Sequence, residues 1–106
     1  MYNAESLPQY IEIGYVGEKL FREAQFDMSG WDIPDGVPAV VYVRPFGKEA
    51  YRPPVTFEDG ILTWRVDESD LGSAGGIGRM QLEMKSATKA RKSRIFDVRV
   101  NPGIVR

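Results

Sequence analysis

The stretch Val55 to Val66 (VTFEDGILTWRV) constrains the fold more than any other part of the chain. Asp59-Gly60 suits a two-residue type I′ turn, in which both central residues take positive φ. With those two residues as the loop, Glu58 pairs with Ile61, Phe57 faces Leu62 and Val55 faces Trp64. The last four side chains then share one face, so turn chemistry and apolar alternation select the same hairpin. A β-hairpin needs further strands to bury that face.

The rest of the chain supplies them. Residues 1–8 read as a loose arm ending at Pro8. Gln9 to Val16 is a first strand, rich in Ile, Tyr and Val. In Leu20 to Met28, Leu20, Ala24, Phe26 and Met28 fall on one side and Glu23, Gln25 and Asp27 on the other, the period of a half-buried strand. Arg22 interrupts the apolar side, and a helix competes over LFREAQF; the clean run Ala24 to Met28 favours strand. Ser29 to Pro38 is loop by composition. Ala39 to Arg44 is nearly all apolar and predicts a central strand covered on both faces. Phe46 to Pro54 is a polar crossing. Asp67 to Gly78 reads as a long corner with one helical turn at Glu68–Leu71.

A second hairpin is expected from Met80, Leu82 and Met84 on one arm and Phe96, Val98 and Val100 on the other, with Lys85 to Arg94 as its tip. Of two registers, the one placing Glu83 opposite Arg99 and Lys85 opposite Asp97 is preferred, since the other sets Glu83 against Asp97. Asn101-Pro102-Gly103 ends the domain, leaving 101–106 as a tail. About seven strands with closely spaced turns, 11 Gly and 7 Pro among 106 residues predict one all-β domain, an antiparallel sandwich.

The sequence has neither His nor Cys. That excludes the Ser-His-Asp and Cys-His mechanisms, disulfides and the common zinc sites. Asp67-Glu68-Ser69-Asp70 fails as an EF-hand because Leu71 stands where an oxygen ligand is needed. Gly72 to Gly78 lacks the Lys-Ser/Thr of a phosphate loop and leads into a strand. Glu58 and Asp59 sit side by side in a tight turn, with nothing to separate their pKa values. No catalytic residue, no cofactor and no metal site is therefore expected. No apolar run approaches a membrane span and no signal peptide opens the chain. The protein is expected to be made soluble in the cytoplasm.

Charge is uneven: residues 1–78 hold 6 basic and 13 acidic side chains, residues 79–106 hold 8 and 2. Lys85, Lys89, Arg91, Lys92 and Arg94 gather in the C-terminal hairpin, a candidate patch for an acidic neighbour, against the plainer reading of a solvated hairpin. No aromatic lies between Lys85 and Ile95, which argues against nucleic acid. Tyr10, Tyr15, Trp31, Tyr42, Phe46 and Tyr51 offer an alternative, a carbohydrate-binding module. Trp31, in a Gly-Trp-Asp loop, is the best candidate for exposure; the common fate of such residues is the core.

The order of several weak motifs carries a resemblance. Ile61-Leu62-Thr63-Trp64-Arg65-Val66, then Asp70, a glycine-rich corner to Gly78, Arg79, an alternating strand, and Lys92-Ser93-Arg94-Ile95 before Val98-Arg99-Val100 resemble the N-terminal immunoglobulin-like domain of phage baseplate upper proteins. Related tail proteins of phages and prophages of Gram-positive bacteria share the pattern, and Phe26 to Trp31 is similar to their second strand and following loop. The likeness spans roughly residues 10–100. It implies a virion component without catalytic residues that docks onto other tail or baseplate proteins. Self-association is a further expectation; nucleic acid and membrane insertion are not. Longer members carry stalks and receptor-binding heads, whereas this sequence stops at Arg106, so receptor binding is not among the expectations.

Overall fold

The Asp59-Gly60 turn forms as its chemistry requires, with φ of 51° and 79°. It joins β5 (Val55–Glu58) to β6 (Ile61–Arg65) in the expected register, Glu58 opposite Ile61 and Val55 opposite Trp64. The computed structural model describes residues 1–103. The other elements are β1 (Tyr2–Asn3), β2 (Tyr10–Tyr15), β3 (Glu23–Asp27), β4 (Val37–Val43), α1 (Glu68–Leu71), β7 (Gly76–Lys85), β8 (Ala90–Lys92) and β9 (Phe96–Asn101). A single 3₁₀ turn covers Ser29–Trp31.

Two sheets pack face to face as a β-sandwich of the immunoglobulin-like type. One has the order β1-β3-β6-β5; the other runs β2-β9-β7-β4, with β8 also pairing β7. Their inner faces meet in one apolar core. Phe26, Leu62 and Trp64 from the first sheet and Val40, Tyr42, Leu82 and Val98 from the second have no exposed surface. Each such side chain contributes about 1.5–3 kcal/mol by leaving water.

The expected purely antiparallel pairing is corrected at the chain ends. β1 runs parallel to β3 and β2 parallel to β9. Neither pair is joined by a hairpin, so no turn dictates direction. The arm 1–8 is not loose: Tyr2 pairs with Phe26, Ala4 is buried, and the Ala4 amide donates to Asp27 O at 3.0 Å. Leu20 lies outside β3 and is half exposed.

β4 is an edge strand rather than a central one; among the described residues its free side is paired only by an isolated bridge between Tyr42 and Tyr51. Its apolar run reflects Pro38, Val40 and Tyr42 facing the core while Ala39, Val41 and Val43 are half-buried outside. β7 approaches it closely: a Cβ on Gly78 would come within 2.5 Å of the Val43 carbonyl oxygen. β7 already begins at Gly76, so the glycine-rich run is only partly a corner.

The C-terminal hairpin is split. β7 turns at Ser86–Lys89 into β8, with Glu83 opposite Lys92 and Lys85 opposite Ala90. After a break at Ser93, β9 pairs with the earlier half of β7, Met80 opposite Phe96 and Arg79 opposite Asp97. Neither register expected for Glu83 occurs. The Ser93 hydroxyl explains the break, since it accepts from the Leu82 amide at 2.9 Å where a ladder bond would lie. Asn101 belongs to β9, and residues 104–106 of the expected tail lie outside the described residues.

Candidate interaction surfaces

The acidic cluster after β6 is built around Asp70. Asp67 has extended backbone and starts α1, whose third residue turns the Asp70 carboxylate back towards the chain. That buried carboxylate accepts from Trp64 Nε1 at 3.1 Å, from the Asp67 amide at 2.9 Å and from the Tyr51 hydroxyl. The Tyr42 hydroxyl donates to the Asp70 carbonyl at 2.9 Å. Four segments are tied together here.

Burial, followed by the charge of Asp70, pushes the Tyr42 phenol well above its ordinary pKa. Burial does the same for Tyr51, reinforced by the hydrogen bond to Asp70. Both phenols are thus held as donors. A groove of about 580 Å³ opens beside the cluster, between Leu20, Tyr51, Pro53, Pro54, Thr63 and Arg65. The buried carboxylate beneath it has its oxygens occupied by donors, so it serves to hold the fold. Among the described residues no three acidic side chains converge on a point that could hold a metal ion, and no helix is long and apolar enough to cross a membrane.

The five basic residues of the hairpin divide into two groups. Arg91 makes a two-pronged pair with Glu5, at 2.9 and 3.1 Å, and its guanidinium lies 4.9 Å from the centre of the Trp31 ring. Arg94 donates to the Leu7 and Pro8 carbonyls. These two cations fasten the N-terminal arm. Lys85 reaches Glu83 at 3.9 Å, a carboxylate that is buried and already held by Arg52 at 2.8 Å. Lys89 and Lys92 are exposed and form no ion pair among the described residues. The free part of the patch is therefore narrower than the sequence suggests, because Arg91 on β8 is engaged by Glu5 and Trp31 while its neighbour Lys92 is not.

Trp31 is buried, with 4% of its surface exposed. Its loop folds back under Arg91, so it presents no platform to solvent. Among the exposed or half-buried aromatics, Tyr10 has Arg99 at 4.3 Å from its ring centre, Tyr51 has Arg44 at 4.7 Å, and Tyr15 has Arg22 at 5.6 Å. A stacked guanidinium occupies a face that a sugar would need.

The surface that sequence reasoning missed lies at the α1 end. Leu20, Phe21 and Phe46 are 50%, 76% and 84% exposed. Leu20 and Phe46 also take φ of 51° and 62°. Asp32, Asp35 and Asp59 share that conformation, but short Asp side chains tolerate it. For a bulky apolar residue it costs about 1–2 kcal/mol; Leu20 recovers part of this by half burial, whereas Phe46, 84% exposed, gains little in return. The loops are nonetheless ordered by contacts: the Leu20 amide donates to Val66 O at 3.1 Å, and Arg22 and the Tyr15 amide converge on Glu18 at 2.9 and 2.6 Å. The Tyr15 amide bond and Arg22 hold the Glu18 carboxyl below its ordinary pKa. Arg22, the residue that broke the apolar phase, was the available signal that this segment is not strand.

No family model and no curated protein matches the sequence.

Proposed function

We propose that this domain is a structural module of a phage tail or baseplate, acting through protein–protein contacts and not by catalysis. The observation that carries the assembly role is the α1 end. Leu20 and Phe46 are held in left-handed backbone, the first half exposed and the second almost wholly so, and exposed Phe21 adjoins Leu20. Strained residues that persist without burial are a mark of functional sites. Exposed aromatic and aliphatic anchors next to a polar frame have the character of an interface centre.

The phage setting rests on the resemblance between residues 10–100 and baseplate upper protein N-terminal domains, together with the sandwich fold they have in common. A carbohydrate-binding role is less well supported. Trp31 and Tyr42 are buried, and Tyr10, Tyr15 and Tyr51 carry stacked arginines, which leaves Phe46 as the single uncovered ring of those six and no platform of several.

Particle fractionation tests the proposal. The chain should co-sediment with intact tails or virions and be identified there by mass spectrometry. A Phe46→Gly variant, folded by circular dichroism, should be depleted from the particle fraction. Absence of the wild-type chain from particles would refute the virion role. Undiminished incorporation of F46G and of Phe21→Ser would refute the α1 end as the contact.

A further inference from the structure

The opposite end of the sandwich carries both signs of charge side by side. No Lys or Arg occurs from 23 to 43 or from 53 to 64. These segments supply the loop before β4 and the β5–β6 turn. Asp32, Asp35, Glu58 and Asp59 are exposed there and form no ion pair among the described residues. The Met28 amide donates to Gly60 O at 2.8 Å, which sets the turn against the loop. Val37 pairs with Lys85, which sets the loop against the β7–β8 hairpin. One end thus has an acidic lobe next to a basic lobe bearing Lys89 and Lys92.

Apolar surface lies between them. Val37 is 71% exposed and Phe57 40%. A groove of about 320 Å³ is lined by Ile33, Pro34, Phe57 and Met84 together with Asp32 and Asp35.

We infer that this end is a two-fold contact with a second copy of the chain, each basic hairpin meeting the acidic lobe of its mate across Val37 and Phe57. Adjacent lobes of opposite sign are complementary to themselves under a two-fold rotation, which is what a symmetric dimer requires. A partner of one sign would satisfy one lobe and repel the other. Apolar residues inside a charged rim match the usual layout of an interface.

Sedimentation of the full chain tests this. The wild type should dimerise reversibly, more weakly as salt rises, because rim charges are screened. Lys89→Glu with Lys92→Glu should raise the dissociation constant at least about 100-fold, since each change acts twice in a two-fold interface. Asp32→Asn, Asp35→Asn and Asp59→Asn together should also weaken it, and Asn tolerates the left-handed backbone at all three. Phe46→Gly, at the other end, should leave the constant unchanged, so failure here is distinguishable from failure of the assembly role. A chain that stays monomeric at about 1 mM, where even a weak contact would register, overturns the inference. So does a dimer indifferent to both lobe variants and to salt.

Discussion

The two ends of the sandwich are inverted relative to each other. At the α1 end the interior is polar, with Asp70 gripped by Trp64, Tyr51 and the Asp67 amide, and the exterior is apolar, with Leu20, Phe21 and Phe46 in water. At the hairpin end the interior is apolar, with Trp31, Met28 and Met84 buried, and the exterior carries charge of both signs around exposed Val37 and Phe57. A directional polar lock can hold strained loops in place; Arg44, two residues before Phe46, donates to the Ser69 carbonyl of α1 at 3.2 Å. Apolar packing has no such directionality, and the hairpin end carries its charges on regular strands and Asp-rich turns that need no strain. The two proposed contacts, through shape at one end and through charge at the other, reflect this difference.

The largest expected effect tests the lock. Asp70→Leu leaves three donors unpartnered and should cost about 3–5 kcal/mol in urea unfolding. A loss below about 1 kcal/mol would remove the polar end from the comparison. Alkali tests the same site. Tyr42 and Tyr51 have raised pKa values when folded, so the unfolded chain releases those protons first. Their stabilising effect is complete below about pH 10 and falls as pH rises beyond it. Ultraviolet titration of phenolate should show both ionising only as the fold is lost, and Tyr51→Phe should remove one of the two.

Smaller changes sharpen the contrast. Arg91→Ala should cost about 1 kcal/mol. Its signature is local: faster hydrogen exchange at the Ala4 amide, with the Asp70 end unchanged. Phe46→Gly should leave stability unchanged or raise it by up to about 1 kcal/mol, since relief of left-handed strain is set against the greater freedom of glycine when unfolded. A marked loss of stability would mean that Phe46 packs in the fold instead of awaiting a partner. Lys89→Ala and Lys92→Ala should shift stability by less than about 0.5 kcal/mol, measured by the same urea titration.

Some of this was readable from the chain, and the boundary has a physical cause. The β5–β6 hairpin was, because Asp59-Gly60 permits one turn and that turn fixes every pair beyond it. The helical turn Glu68–Leu71 was readable from its carboxylates. The C-terminal pairing was not. Ser93 takes the Leu82 ladder bond and resets the register, and neither a serine nor an alternating pattern announces that. The position of β4 at an edge was hidden because half-buried Val41 and Val43 mimic a strand covered on both sides. Among the candidate surface residues, Lys89 and Lys92 form no ion pair among the described residues, whereas Arg91, Arg94 and Trp31 were drawn into holding the N-terminal arm. Leu20 was missed, and Phe46 was named only as one aromatic among six, because exposure and backbone strain are properties of position.

What the amino-acid sequence determined by itself was local: the turn at Asp59-Gly60, the alternation of strands with a period of two, the β class, and the closure of histidine and cysteine chemistry. Tertiary structure alone decided which strands meet and in which direction. It also decided which arginines are consumed internally and which apolar side chains remain in water. Turns and periodicity are encoded within a few residues of one another. Pairings such as Tyr2 with Phe26, or Arg91 with Glu5 some 86 residues away, depend on two distant segments being buried together, and no single stretch of sequence contains both.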